Sequence, residues 1–366
     1  MGRALVLAGG GIAGLAWESG VLAGLAAGGV DTQRWDLVVG TSAGALVGSR
    51  LLGDGSPEPL FAVQTSGNDA AEEAALRIVF GSGFVRVLRL SRRRSLRWVG
   101  MIWLANLIVS SVMRYTRRRG IRSTVSLVQT LRRGLREEDR QVVAAAIGAV
   151  VNVNRRSDDL THYWERSLAP VRDWPATPLV ATAIDTADGS RVLFRASSGV
   201  PLAGAVAAST CVPGFIAPVE LLGRRYIDGG FGSPANADVA AGHDEVWVVS
   251  PFGAASLDRE VAELQSSGSV VHLIRPSAVG DQALGPGIAV MDPMRRLGAA
   301  RAGFDDGRSV AEEELATSLR LSGAMGPTRV GHAEPGPPST SARRRSARRP
   351  ASIRSGPTPR PHRPGR

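Results

Sequence analysis

The chain is 366 residues long, with 44 arginines, no lysine, 33 acidic residues and one cysteine, for a formal net charge of +11. That length accommodates two domains, while a single cysteine excludes an internal disulfide and fits a reducing compartment. The charge is divided unevenly: nine arginines lie between Arg343 and Arg366, fifteen between Arg77 and Arg136 in a stretch without Asp or Glu, and the remaining twenty face every acidic residue, so an acidic body carries a basic insertion and a basic tail.

Arg3 to Ala8 reads as a first strand that runs into Gly9-Gly10-Gly11-Ile12-Ala13-Gly14. Leu15 to Ala27 then places apolar residues at helical spacing, and Gly28-Gly29 ends the helix. The next strand, Trp35 to Val39, leads into Gly40-Thr41-Ser42-Ala43-Gly44 and a small-residue helix. Strand, glycine loop, helix and strand in that order imply parallel strands and an α/β sheet. The Gly40 to Gly44 pentapeptide is a G-x-S-x-G turn, in which glycines permit a sharp strand-to-helix elbow and a serine hydroxyl stands at its tip. Gly9, Gly11 and Gly14 satisfy the dinucleotide pattern G-x-G-x-x-G. The acidic residue of this region, however, opens the second strand as Asp36, where a ribose-binding acid would close it. The other use of such a loop is an oxyanion hole, with helix N-terminal amides aimed at the charge that develops when Ser42 attacks a carbonyl.

Residues 51–68 read as helix and loop, and Glu72 to Phe80 as another helix. Trp98 to Met113 follows as sixteen mostly apolar residues bracketed by arginines. At about 24 Å as a helix it is short for a bilayer of about 30 Å, and arginine at both ends removes the asymmetry that orients a span. A cap, or an interfacial helix whose arginines meet anionic headgroups, is the expected element. Gln141 to Val153 reads as a buried helix, and 154–175 as turn-rich. Leu179 to Ile184 and Arg191 to Phe194 form a strand pair around Asp188-Gly189. Val200 to Thr210 is a small-residue helix holding Cys211 at its end, a buried small hydrophobe rather than a nucleophile. Tyr226-Ile227 ends on Asp228-Gly229-Gly230. Two further strands, 245–250 and 270–275, precede a helical stretch from Asp292 to Leu321. From Met325 onward large apolar side chains are almost absent, the composition of a disordered tail.

A serine hydroxyl needs a base. His332 and His362 lie in the tail, and His162 in a polar stretch. His243 and His272 follow Asp228 in the Ser, Asp, His order of the α/β-hydrolases, but in that fold the elbow follows several strands, and Ser42 follows only the second. Asp228 ends a strand beside two glycines that leave its carboxylate unshielded, and an aspartate within hydrogen-bonding reach of a hydroxyl can act as its base.

Four separated segments resemble one family, the patatin-like phospholipases: Gly9-Gly10-Gly11-x-x-Gly14, Gly40-Thr41-Ser42-Ala43-Gly44, Ala208-Ser209-x-x-x-Pro213-x-Phe215-x-x-Pro218, and Asp228-Gly229-Gly230 with Asn236 shortly after. Where the family's glycine loop usually carries a basic residue, this chain has Ala13. The resemblance implies a three-layer α/β/α sandwich with a mainly parallel sheet, here with a helical basic insertion over about 77–136. It implies a Ser–Asp dyad of Ser42 and Asp228 and an oxyanion hole around Gly9, Gly10, Gly11 and Gly14. It also implies hydrolysis of phospholipid or other acyl-ester lipids with no metal and no organic cofactor. The expected layout is a catalytic domain over 1–322 and a tail over 323–366. The N-terminus is too short before its first glycines to be a signal peptide. The expected location is therefore the cytoplasm, peripherally on the inner face of the cell membrane, with an anionic membrane surface rather than nucleic acid as partner. Two other readings stand beside this one: a non-catalytic adaptor acting through its basic segments, and a nucleotide-binding protein using the Gly9 to Gly14 loop.

Overall fold

In the computed structural model, eight strands among the described residues form one sheet. The structure describes residues 2–66, 173–212 and 218–321, with isolated positions between 161 and 171. The expectations for the helices at 72–80 and 141–153, the basic insertion with Trp98 to Met113, and the tail lie outside the described residues.

The first strand, β1 (Arg3–Leu7), shows why there are layers on both sides. Leu5 and Leu7 join the core on one face, and Ala4 and Val6 join a second core on the other, as the two-residue alternation of a strand requires. A strand buried on both faces carries no polar side of its own, which suits the interior of a parallel sheet. β1 pairs in parallel with β2 (Leu37–Thr41) on one edge and with β7 (Glu245–Val249) on the other, and β7 pairs in parallel with β8 (Val270–Ile274). On one face lie helices α1 (Gly11–Ala27), α2 (Ala43–Asp54), α3 (Glu58–Thr65) and α4 (Leu202–Ser209). The other face is covered by α5 (Ala255–Ser266), whose Leu257, Val261 and Leu264 complete the smaller core.

Past β2 the sheet changes direction. β3 (Leu179–Asp185) runs parallel to β2, with Thr41 opposite Thr182. β4 (Arg191–Phe194) folds back antiparallel along one edge of β3, as the Asp188-Gly189 turn predicts. β6 (Arg224–Asp228), the second arm of a hairpin with β5 (Val219–Leu221), is also antiparallel to β3, with Asp228 opposite Ala183. Because β4 holds one edge of β3 from Ala181 to Ile184, β2 and β6 must share the other edge. They approach along it from opposite ends and stop one residue apart.

The long last helix, α7 (Arg296–Leu321), follows the short α6 (Ala278–Leu284) and lies against α1 at backbone distance. A Cβ at Gly20 would overlap the Ala300 carbonyl oxygen, one at Gly24 that of Phe304, and the reverse holds for Gly303 against Trp17 and Gly307 against Val21. Small residues four apart on both helices therefore mesh, and the Trp17 indole closes the joint by donating to Asp306 Oδ2 at 2.8 Å.

Candidate active site

Ser42 sits between the last residue of β2 and the first of α2, with φ 53° and ψ −115°. Positive φ is costly for a side-chain-bearing residue, and strain of this kind concentrates at functional sites. Close packing holds it there: a Cβ at Gly44 would overlap the Leu7 carbonyl, and one at Gly40 the Ala45 backbone, so both elbow glycines are required by the approach of helix to strand. The Ser42 amide donates to Ser209 Oγ at 2.9 Å, which ties the elbow to the C-terminal end of α4.

The end-to-end arrival of β2 and β6 sets the central contact. Ser42 Oγ donates to Asp228 Oδ2 at 2.6 Å, and Gly230 N–H donates to Asp228 Oδ1 at 2.7 Å. The Asp228 carboxyl is 4% exposed. Burial is the largest influence on it and outweighs the two hydrogen bonds, pushing its pKa up to about 6. It is therefore ionised at neutral pH, yet a stronger base than a solvated aspartate.

Beneath this pair lies a buried hydroxyl and amide cluster. Thr41 Oγ1 and Thr182 Oγ1 are 2.9 Å apart, and Asn236 Nδ2 reaches them at 3.0 and 3.2 Å. Asn236 Oδ1 accepts from Arg191, which also makes a two-pronged ion pair with Asp238. The cluster fixes β2, β3 and the segment after β6 relative to one another at the level of Ser42. Asn236 and Ser209 are prominent in the sequence, but Thr182 is reached only through the sheet register, and no sequence signal marks it.

The glycine loop is shorter than its sequence suggests. α1 begins at Gly11, with Gly11 at φ 62°, and the Gly14 amide is spent inside the helix on Gly10 O at 2.9 Å. The Gly9 amide donates to Pro234 O at 2.8 Å. Of the four glycines, Gly10 and Gly11 keep amides with no acceptor among the described residues, as does Ala43 after the serine. The loop lies against the elbow: a Cβ at Gly9 would stand 3.3 Å from Ser42 Cβ, and one at Gly10 2.8 Å from Pro251 Cγ. His243 Nδ1 faces Ala240 O at 2.9 Å, while His272 pairs with Glu314 and stacks on Trp247. Neither histidine makes a hydrogen bond to Ser42 or Asp228. Cys211 is buried, its thiol pushed far up by desolvation.

One acid close to the loop has no such use. Glu18, on α1, is buried, and neither carboxyl oxygen has a hydrogen-bond partner among the described residues. Desolvation holds its pKa well above the ordinary value, offset only in part by the Ala8 amide, itself bonded to Val249 O at 3.1 Å. A raised carboxyl pKa favours the fold at low pH. As pH climbs past the unfolded value near 4.5, the unfolded chain ionises and the folded one does not, so stability falls. Glu18→Gln removes this titration and should melt above wild type at pH 8, with the gap closing towards pH 4 in calorimetry.

Comparison with known proteins gives a match to the family described as Patatin-like phospholipase over residues 5–241. No curated protein matches the chain. Among solved structures it is similar to VipD from Legionella pneumophila, at 13% identity and TM-score 0.38, over 85% of this chain and 66% of that one. It is similar also to the type III effector protein ExoU, at 15% identity and TM-score 0.30, over 87% of this chain and 59% of that one. The chain thus spans less than two thirds of the length of either protein.

Proposed function

The chain belongs to the patatin-like phospholipase family, and from that premise we propose that it hydrolyses acyl esters of lipids with Ser42 as nucleophile and Asp228 as its base. The observation that carries this reading is the 2.6 Å hydrogen bond from Ser42 Oγ to a buried carboxylate at the tip of a strained elbow. In the first half-reaction Asp228 takes the Ser42 proton as Oγ bonds to the ester carbonyl carbon. The carbonyl oxygen becomes an oxyanion held by the free amides of Gly10 and Gly11. Collapse breaks the bond to the alcohol, which leaves with the proton that Asp228 returns. In the second half-reaction Asp228 takes a proton from water, whose oxygen attacks the acyl-serine; the bond to Oγ breaks, Asp228 returns the proton to Ser42, and the fatty acid departs. No step draws on a metal or an organic cofactor.

Ala13 in the loop leaves this oxyanion site to backbone amides alone. We place the catalytic domain in residues 1–322, with the tail over 323–366 outside it, and an anionic membrane surface as the partner of the basic segments. Among the described residues no helix is long and apolar enough to cross a membrane.

A lipid-like fluorophosphonate tests the reading directly. It should label Ser42, located by mass spectrometry, and label the Asp228→Asn variant far more slowly. Folded protein that takes up no label, with or without vesicles, would remove the serine from the chemistry.

A further inference from the structure

The hairpin that delivers Asp228 carries a residue that the fold has no reason to keep. β5 and β6 are joined by Leu222-Gly223, where φ is positive at both residues, 51° and 74°. This is the left-handed two-residue turn that asparagine, aspartate or glycine favours, and a bulky side chain there is an outlier. Leu222 is also 73% exposed, more than any other large hydrophobic among the described residues. An asparagine would suit both the backbone and the solvent better, so neither local conformation nor packing accounts for leucine.

Its position does. β6 runs antiparallel to β3, so its first residues stand beyond the carboxyl end of the parallel strands, the end at which Ser42 sits. From the level of Asp228 the tip projects roughly 16 Å further along the strand direction, at about 3.3 Å per residue. β5 pairs with the edge of β6 that faces away from β3, which puts the hairpin on the side where β2 ends in Ser42. An exposed, conformationally costly leucine therefore stands ahead of the nucleophile, at the tip of the hairpin that carries its base. Single exposed apolar residues are ordinary. One that also occupies a left-handed turn beside a catalytic mouth is not.

We propose that Leu222 is an interfacial anchor, entering the apolar region of a lipid surface and seating the mouth of the Ser42 site on it. This rests on the lipid hydrolase reading above and adds the contact through which aggregated lipid is met. The attraction is apolar rather than ionic. Arg224 is engaged by Asp185 at 2.8 Å and Asp188 at 3.4 Å, and exposed Arg225 stands across the hairpin from exposed Glu220. Binding through this tip therefore persists in high salt, which separates it from any contribution of the arginine-rich segments.

The test uses the full chain and phosphatidylcholine vesicles in high salt. Leu222→Asn should weaken vesicle binding about tenfold, the scale set by withdrawing one leucine from an apolar phase. It should lower hydrolysis of vesicle lipid in proportion, with unchanged turnover of a soluble short-chain ester and an unchanged or higher melting temperature. Equal binding by variant and wild type, or no binding by wild type, overturns the proposal. A second readout needs no turnover. The chain's one cysteine is buried, so Leu222→Cys accepts an environment-sensitive fluorophore at the tip. Its emission should shift to the blue on adding vesicles. No shift overturns the anchor, and a shift that follows protein concentration without vesicles assigns the tip to a second copy and overturns it also. If the chain hydrolyses no ester while the vesicle shift remains, the catalytic reading fails and the anchor stands.

Discussion

Asp228→Asn is expected to lower kcat/KM on a lipid ester by about 10³- to 10⁴-fold near pH 8 while leaving the fold at least as stable as wild type. The amide keeps the shape of the carboxylate but cannot take the Ser42 proton. Stability moves the other way. Burial raises the Asp228 pKa from 3.8 to about 6, so ionising it in the folded chain costs on the order of 3 kcal/mol relative to water. That cost is absent while both states are protonated, below about pH 4, and is complete above about pH 6. Asparagine never incurs it. A melting curve at pH 8 therefore separates lost chemistry from lost structure, since the two change in opposite directions.

On the proposed mechanism the same carboxyl sets the wild-type pH profile. A base must be ionised, so kcat/KM should fall about tenfold per pH unit below a midpoint near 6. Ser42→Ala removes the nucleophile, with an expected loss of about 10⁶-fold. A profile flat through pH 5 to 7 in wild type would show that Asp228 is not the titrating base.

The elements that form the site were legible where their determinants are local. Gly40 and Gly44 mark an elbow because helix and strand touch there, and Asp228-Gly229-Gly230 marks a strand end that leaves a carboxylate open. What escaped the sequence is the route by which they meet. That β2 and β6 arrive end to end on one edge of β3 depends on strand direction, and a five-residue strand gives no hint of its direction. The glycine run reads as a loop through Gly14, but the helix starts at Gly11; without a polar capping residue, nothing local fixes the start. β5 escaped because it is three residues long with an exposed glutamate at its centre. α5 does carry a signal, since Leu257, Val261 and Leu264 follow helical spacing, but its charged neighbours mask it.

A chain ended at residue 241, where the family match stops, is expected not to fold. β1 lies inside the sheet only because β7 covers its second edge from Arg3 to Leu7. Without β7 that edge bares a strand whose Ala4, Leu5, Val6 and Leu7 are buried, a template for aggregation rather than a stable margin. α1 fares worse. Its Trp17, Val21 and Leu25 are all buried, and the groove along its glycines is filled by α7. Removing α7 exposes this apolar surface and strands the Trp17 indole, whose partner is Asp306. Single substitutions at the joint isolate its share: Gly303→Val drives a side chain into the Trp17 carbonyl, and such overpacking costs about 3 kcal/mol or more where backbone must yield. The shortened chain should be insoluble, or lack a cooperative thermal transition, and the Gly303→Val variant should melt well below wild type. A soluble 1–241 chain with a sharp transition would mean that the sheet closes at β1. The segment from β7 to α7 would then be an addition to the fold, not part of what holds Ser42 and Asp228 together.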